Sequence, residues 1–577
     1  MGEHSARTGD RRLNALETFF LHHYAQQPVT ATFTGVHAYD AQLPDWSVAA
    51  RAQRVHAAQA IRHRLNDEYP ADPGIAELCA SHETLDAELA RAALDVSLAE
   101  EASGHFIARN PSLWTGEAIF GAVSLMIRDF APVAERLPNL VSRLLDVPRF
   151  LTAMMQGVTE PMPSRWRDRA VRECDAAIGL FDDGLTQWLA LNGVDGESSG
   201  VRKAAGAARD AFAQAGAWLA AQPVAEASCY ACGPALLRVL LSRGHWCDDA
   251  PRDVLARAEA AMMGEQVALA EALASKGMSS VSEMQRALAA DTTTAEGYYD
   301  TFQRRWSEVH AAASAHDVVT WPDWPIRYVP IPTWARAAQP ALYWLFYRSP
   351  APFDPYTEYH YVVTPIEPDM PAEVQAQRLA AWNRSTITLN HVVHHGGLGH
   401  HVQNWHAVHR STSRIGTIAA VDAANRIAIF LGGSMAEGWA CYATQLAEKL
   451  GVLTPLEQLS EQHTGVRLLA RAIVDLRLHL GDWSFDTCVA YYEQQVGMSH
   501  DVATAETTKN SMFPATALMY WLGTQGILDA RDQQRGALGS AFSLRAFHDA
   551  LLSRGAIPVL LAARLLAHAA SAPVEAA

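Results

Sequence analysis

The chain has 577 residues, 49% of them hydrophobic, and a formal net charge of −16, which is typical of a globular protein with a large buried core. This acidic balance argues against nucleic-acid binding, because phosphate recognition needs clustered lysine and arginine. No apolar run is long enough to span a bilayer, and the first residues lack the apolar core of a signal peptide. We therefore expect a cytoplasmic protein with neither nucleic-acid nor membrane partners.

Helical patterns dominate the chain from its N-terminus. Residues 12–27, 51–69, 88–102 and 252–277 carry apolar side chains at helical spacing, with alanine, glutamate, leucine and arginine between them. Gly277 is a plausible helix stop, and capping residues begin the next helix at 279–288. Between two of these helices, Cys229 and Cys232 form a lone CYAC sequence, which we interpret as two free thiols because no second pair accompanies it.

One segment interrupts the helical pattern. Residues 317–365 are rich in proline, tyrosine and β-branched residues, which predicts irregular chain with a few short strands. We expect a loose tail over 1–10, an N-terminal helical region over 11–316, the irregular segment over 317–365, and a second helical region over 366–570. The two helical regions are predicted to form one continuous structural unit.

The stretch HVVHHGGLGHHVQNWH, residues 391–406, concentrates six histidines around three glycines. Histidine is the commonest metal ligand, so a metal site, a proton relay and a solvated histidine patch are the competing interpretations. On an ideal helix His394 and His400 would lie about 120° apart, so they can bind one ion only if the backbone is distorted between them. Glycine permits such a distortion at a cost of about 1 kcal/mol per residue.

A carboxylate that could complete a metal site follows about forty residues later. Glu437 begins an apolar helical run, and a buried carboxylate requires a cation nearby. Two histidines and one carboxylate on consecutive helices favour a metal site over the other interpretations.

These residues carry a resemblance to a known family. The stretches HHGGLGHHVQ (394–403) and EGWACY (437–442) are similar to His-Glu-x-x-Pro-Gly-His-His-x-Gln and Glu-Gly-Trp-Ala-x-Tyr of the bacterial domain-of-unknown-function family 885, which is related in fold to the gluzincin metallopeptidases. Residues 30–47, 471–484 and 513–523 are similar to further signatures of that family, so the resemblance covers most of the chain.

The resemblance implies a mainly α-helical, metallopeptidase-like fold with a deep central cleft and a small irregular or β insertion that covers it. It also implies one divalent metal ion, with zinc expected first. An extra imidazole ligand would make a set of three histidines and a carboxylate, which suits iron, manganese or nickel as well. Carried over by position, the ligands are His394, His400 and Glu437, with His401 replacing His400 if the register is shifted.

The departures from the family motif bear on the reaction. Where the family has the glutamate that acts as general base, this chain has His395. Where the family has Glu-x-x-Arg-Tyr, the chain has Glu506, Lys509 and Asn510. We therefore expect metal-assisted lysis or hydrolysis of a small polar molecule, with His395 as acid or base. A metallopeptidase with a histidine base and a catalytically silent metal or ligand binder are the alternatives, and the oligomeric state is open, a homodimer included.

Several other residues are candidates for supporting roles. Tyr328 in the irregular segment is a candidate oxyanion donor, as are Tyr343, Tyr347 and Tyr361, and Arg471 is a candidate catalytic cation. Arg467, Arg471, Asp475 and His479 share one helix face, where they could orient ligands, and His391 is a further ligand or orienting group. We expect the substrate cavity to be lined by four aromatic residues: Trp405, Trp439, Tyr442 and Trp521.

Overall fold

The structure is a computed structural model that describes residues 13–197, 200–225, 227–321, 324–342, 347–355 and 358–571. Within these residues the fold is mainly α-helical, as predicted. Helices begin where the sequence supplies capping oxygens: Asn14, Ser47 and Ser81 each accept a hydrogen bond from a backbone N–H in the following first turn. None of the helices in this part of the chain is both long and apolar enough to cross a bilayer.

The helices before the irregular segment build the N-terminal part of the body. Helix α12 ends where predicted, since Gly277 has the left-handed φ of +73° that glycine adopts easily, and Ser280 caps α13. The bounds are α1 Ala15–Gln26, α2 Pro28–Thr34, α3 Val48–Glu68, α4 Ile75–Ala80, α5 His82–Ser103, α6 Pro111–Met126, α7 Val133–Gly157, α8 Ser164–Gly179, α9 Leu185–Leu191, α10 Val201–Ala221, α11 Pro234–Val239, α12 Pro251–Ser275, α13 Val281–Ala290 and α14 Tyr298–Ala315.

The irregular segment contains a small parallel sheet of two strands, β1 Ile326–Pro330 and β2 Tyr359–Val363. Their register pairs Ile326 with Tyr359 and Tyr328 with Tyr361. Buried residues alternate with more exposed ones along each strand, so one face of the sheet packs its aromatic side chains into the protein.

After the sheet the chain is helical again. A long π-helix, Thr386–Gly396, carries the first three histidines of the predicted site, His391, His394 and His395, and shorter π-helical stretches occur at Leu180–Gly184 and Leu240–Gly244. The α-helices are α15 Ala372–Ala381, α16 His400–His409, α17 Arg414–Ile418, α18 Gly433–Lys449, α19 Pro455–His479, α20 Phe485–Val496, α21 His500–Met512, α22 Met519–Leu538, α23 Leu544–Leu552 and α24 Val559–Ser571.

Three hydrophobic cores hold these helices together. One lies among α6, α7, α8 and α10, and a second joins α12, α19 and α20. The third contains residues of α1 and α5 together with residues of α18, the sheet and α24, so the N-terminal and C-terminal helical regions share a core. Helices α18 and α22 approach closely at Gly438 and Gly523, where a Cβ on Gly438 would lie 2.5 Å from the Gly523 carbonyl carbon. This contact fixes the helix that carries Glu437.

Candidate metal centre

The backbone between the histidines is broken by the glycines, as the sequence predicts. The π-helix ends at Gly396, and α16 begins at His400. At the break, the backbone N–H of Gly399 donates to the carbonyl of Val393 at 2.8 Å. A Cβ on Gly399 would lie 1.9 Å from the His394 carbonyl oxygen. Glycine is therefore required here by the close approach of two backbone segments.

The break brings three imidazoles together. One ring nitrogen from each of His394, His395 and His400 lies within 4.8 Å of the other two. The ring centroids of His394 and His400 are 4.9 Å apart and the two rings are nearly perpendicular, at 87°. Residues six apart, which an ideal helix would point in different directions, thus meet at one point.

Glu437 on α18 completes the cluster. Its Oε2 lies 3.4 Å from Nε2 of His394 and 3.5 Å from Nε2 of His400. That oxygen is buried and accepts no well-formed hydrogen bond from any described residue. Burial alone would raise the pKa of Glu437, but the neighbouring imidazoles of His400 and His394 outweigh it and hold this pKa well below its usual range.

His395 is held in one orientation by its own backbone. Its Nδ1 lies 2.6 Å from the carbonyl oxygen of Asn390, so this nitrogen carries the proton and donates it. Nε2 is left with a free electron pair. Burial, with smaller contributions from His394 and His400, lowers the pKa of His395 well below its usual value, which keeps the ring neutral.

The cluster forms one wall of a cavity of about 1000 Å³, measured with its mouth. Two of the lining residues, Asp422 and Tyr520, carry chemistry for which the sequence gives no motif, and Lys509, from the altered family motif, lines the cavity as well. Asp422 accepts a hydrogen bond from the backbone N–H of Ser349 at 2.8 Å, and burial raises its pKa. These residues come from separate parts of the chain, so only the fold brings them to the histidines.

His401 and His391 lie beside the cluster without joining it. His401 is 1% exposed, with Nε2 at 2.8 Å from the Trp324 carbonyl and Nδ1 at 3.5 Å from the Tyr347 hydroxyl. The register that places His400 in the cluster is therefore the one that the structure adopts. His391 hydrogen-bonds the Tyr361 hydroxyl at 2.6 Å through Nδ1, and its ring stacks on Trp382.

On the shared face of α19, Arg471 and Asp475 contact neighbouring parts of the chain, which corrects the assignment of Arg471 as a catalytic cation. Arg467 on the same face lies near the cluster, since it adds to the larger effect of burial in lowering the pKa of His394. Arg471 makes two hydrogen bonds to the Glu506 carboxylate, at 2.7 and 3.0 Å, and lies over the Tyr520 ring, outside the cavity lining. Asp475 accepts from the backbone N–H groups of Ala515 and Leu518.

His479 belongs to the same structural face. It hydrogen-bonds the Asn510 carbonyl at 3.1 Å and accepts from the backbone N–H of Cys232 at 3.2 Å. Neither it nor Asp475 contacts Glu437 or a histidine of the cluster; both hold neighbouring backbone instead. The cysteines at 229 and 232 are free thiols.

Among the tyrosines predicted as oxyanion donors, Tyr347 lines the metal cavity and Tyr328 does not. The Tyr328 hydroxyl donates to the His391 carbonyl at 3.4 Å beneath the π-helix, so its assignment as an oxyanion donor in the cavity is corrected. Tyr347 receives a hydrogen bond from Asn404 at 3.3 Å, and its ring is parallel to that of His400. Tyr343 lies outside the described residues.

The four aromatic residues assigned to the cavity lie elsewhere, which is a second correction. Trp439 is fully buried and donates to the Leu398 carbonyl at 2.9 Å, so it anchors the glycine break from behind. Tyr442 is also buried and contacts Nε2 of His548 at 2.9 Å. Trp405 packs against His409, and Trp521 lies against the core of α12, α19 and α20. These residues stand next to the motifs in the sequence, but their side chains lie on helix faces that pack against other parts of the protein.

The donor set is suited to a divalent cation. Three imidazole nitrogens and one carboxylate oxygen converge, the carboxylate oxygen lacks another well-formed partner, and His395 donates its single ring N–H, on Nδ1, to a backbone carbonyl. This last feature is typical of metal-binding histidines, because the hydrogen bond fixes the tautomer and aims the other nitrogen.

Comparisons with known proteins bear on the fold. Two solved structures share it: a candidate lipoprotein of unknown function from Shewanella oneidensis (18% identity, TM-score 0.74) and a candidate lipoprotein from Colwellia psychrerythraea (17% identity, TM-score 0.75). The first match covers 96% of this chain and 99% of the other, and the second covers 97% and 100%. No curated protein sequence matches significantly.

A family model matches residues 28–566, a range that contains the glycine break, the three clustered histidines and Glu437. Its description is that of a bacterial protein of unknown function, DUF885. Since the match spans nearly the whole chain, the protein belongs to the DUF885 family.

Proposed function

We propose that this protein is a metal-dependent enzyme that hydrolyses or cleaves a small polar molecule at the histidine cluster. The observation that carries the proposal is the convergence of His394, His395 and His400 on a buried Glu437 oxygen that has no other well-formed partner. A buried carboxylate left unpaired costs several kcal/mol, so a site of this kind is retained where a cation compensates it.

We infer one divalent ion, with zinc the first choice and iron, manganese or nickel also suited to three imidazoles and a carboxylate. When bound, such an ion supplies a Lewis acid that polarises a carbonyl or similar group of the substrate. His394, His400 and Glu437 would hold it from two helices and the end of the π-helix.

The observed orientation of His395 is compatible with two roles. Its Nδ1–H is fixed on the Asn390 carbonyl, so Nε2 can either bind the ion or accept a proton from the substrate. Because its ligand nitrogen lies with those of His394 and His400, we favour direct binding of the ion. Acid–base action by His395, as the sequence suggests, is the alternative.

The cavity favours a small molecule over a long peptide. Lys509 supplies a cation, Tyr347 and Tyr520 supply hydroxyl groups, and Phe513 and Met519 supply apolar surface. We further propose that the scaffold is related to the gluzincin metallopeptidases. In this proposal, replacement of their glutamate by His395 ended peptidase activity in this chain.

Metal binding by purified protein tests the proposal. We expect about one equivalent of zinc or another divalent ion by mass spectrometry, and visible absorption bands after loading with Co²⁺. A protein that cannot be loaded with any of these ions would refute the metal site.

The His395→Ala variant separates the two roles. If His395 binds the ion, the Co²⁺ spectrum changes and metal affinity falls by more than the roughly 10–100-fold that loss of an orienting partner costs. If it acts only as acid or base, both stay as in the wild type while turnover is lost. The His395→Glu variant restores the residue of the peptidase motif, and peptidase activity gained by this change alone would support departure from proteolysis.

A further inference from the structure

A second cavity adjoins the metal cavity. It encloses about 1370 Å³ with its mouth and lies among α1, α3, α5 and α6. Its remaining wall is the segment 423–431, and five residues of this segment also line the metal cavity: Ala423, Asn425, Arg426, Ile427 and Phe430. The two cavities therefore share this segment as a common wall.

The arginines that border the second cavity are paired. Arg51 and Arg54 both contact the Glu101 carboxylate, at 2.6 and 2.8 Å. Arg426 binds Glu100 through both of its terminal nitrogens. The three guanidinium groups are thus engaged by two carboxylates, which makes them poor candidates for binding an anionic ligand.

The third acidic residue of the cavity is Glu117 on α6. Its side chain is 9% exposed, and no described residue donates a hydrogen bond to its carboxylate. Burial raises the pKa of Glu117 to about 7, although Arg143 and Arg426 act in the opposite direction from beyond contact distance. A carboxylate in this position lacks the donor that buried carboxylates otherwise have.

A second polar group on the same cavity also lacks a partner. His23 on α1 is 8% exposed, and its buried Nε2 makes no hydrogen bond to any described residue. Burial lowers the pKa of His23 to about 4, so its ring is neutral at physiological pH. A buried imidazole nitrogen and a largely buried carboxylate on one cavity, neither with a hydrogen-bond partner among the described residues, indicate a ligand that would supply one.

Aromatic side chains border the rest of the cavity. Phe19 and Phe106 are buried, and Trp46 and Phe430 are half-buried. Aromatic faces bind both apolar groups and cations, so they suit a ligand with an apolar body and a positive end.

We propose that the second cavity is a binding site for an organic cation with a primary ammonium group and an apolar body, in which Glu117 accepts the hydrogen bonds of the ammonium group. His23 offers a neutral polar group on the wall of the same cavity, and the aromatic residues cover the apolar part. The site is separate from the metal centre and does not depend on the function proposed for it.

Binding of phenethylamine to the metal-free full-length protein tests this site by calorimetry. We expect saturable binding of phenethylamine, with 2-phenylethanol and 3-phenylpropionate binding much more weakly. In Glu117→Gln, which keeps the shape of the side chain, phenethylamine affinity should fall about tenfold or more, because a charge-assisted hydrogen bond is lost.

Two controls make the result specific. Glu135→Gln removes the same charge from the exposed start of α7 and should leave amine binding unchanged. Glu437→Gln should also leave it unchanged, since that residue belongs to the metal cavity. No amine binding, equal affinity in Glu117→Gln, preference for the carboxylate, or loss of binding in Glu437→Gln would each overturn the proposal.

Discussion

The metal cavity and the second cavity each contain a buried carboxylate without a well-formed hydrogen bond, yet the two groups are in opposite electrostatic states. Glu437 lies between imidazoles that hold its pKa well below the usual range, whereas burial raises the pKa of Glu117 to about 7. One carboxylate is suited to stay ionised beside a cation, and the other is only partly ionised near neutral pH unless something positive approaches. The neighbours of a buried carboxylate, and not its burial alone, decide which kind of ligand it suits.

The largest effect is expected at the glycine break that forms the metal cavity. Gly399→Ala places a Cβ 1.9 Å from the His394 carbonyl oxygen, so the backbone must move. We expect a loss of about 4 kcal/mol or more in the free energy of unfolding, measured with urea.

The matched control for this change is Gly264→Ala in α12, where a Cβ meets nothing within 4 Å. This variant should be neutral or more stable by up to about 1 kcal/mol, because alanine favours helix. Similar destabilisation in both variants would contradict the requirement for glycine at the break.

The next effect distinguishes the ligands of the metal cavity from neighbouring histidines. His400→Ala should lower zinc affinity by more than about 100-fold, since it removes a direct ligand. His409→Ala, an exposed histidine on the same helix, should leave zinc affinity unchanged. Competition with a chelator measures both, and equal affinities would remove His400 from the ligand set.

The sequence predicts several features of the metal cavity and none of the second cavity. The helices, the irregular segment and the break at the glycines follow from local patterns, because spacing, capping and glycine content act within a few residues. The convergence of His394 and His400 was predicted only as a possibility, because a six-residue spacing brings two side chains together only where glycines allow the backbone to bend. The choice of His400 over His401 rests on the contact of His401 with the Trp324 carbonyl, which no local pattern encodes.

Other parts of the site depend on contacts between distant segments. The metal cavity receives Asp422, Lys509 and Tyr520 from three separate elements. No sequence pattern singles out Glu117, which lies on an apolar helix. The errors have the same origin. Trp439 and Arg471 stand next to the motifs in sequence, but tertiary packing directs Trp439 to the Leu398 carbonyl and Arg471 to Glu506.

A third prediction concerns the charge of Glu117. Its folded-state pKa of about 7 lies above the ordinary value of 4.5, so the stability it contributes is complete below about pH 4.5 and is lost as pH rises through about 7. Glu117→Gln cannot ionise and should be more stable than the wild type at pH 8, by up to about 3 kcal/mol, but not at pH 4. Chemical unfolding at both pH values measures the difference, and a pH-independent difference would show that Glu117 is not the group that titrates.

The smallest effect on stability is expected in segment 423–431, the wall that the two cavities share. The Asn425 side chain donates to the Ser112 carbonyl at 3.0 Å, one turn from Glu117. Asn425→Ala should cost about 1 kcal/mol of stability and weaken phenethylamine binding, with zinc affinity unchanged. If zinc affinity falls in parallel with amine binding, the two cavities are coupled more tightly than a shared wall implies.

The π-helix Thr386–Gly396 makes the histidine cluster sensitive to chain length as well as to residue type. In an α-helix the loss of one residue turns everything beyond it by about 100°, and in the wider π-helix the rotation is somewhat smaller. A deletion between Thr386 and His394 would therefore swing the imidazoles away from Glu437, even though every histidine remained. Among relatives of this chain, a functional cluster should thus tolerate exchanges of residues in this stretch more readily than insertions or deletions.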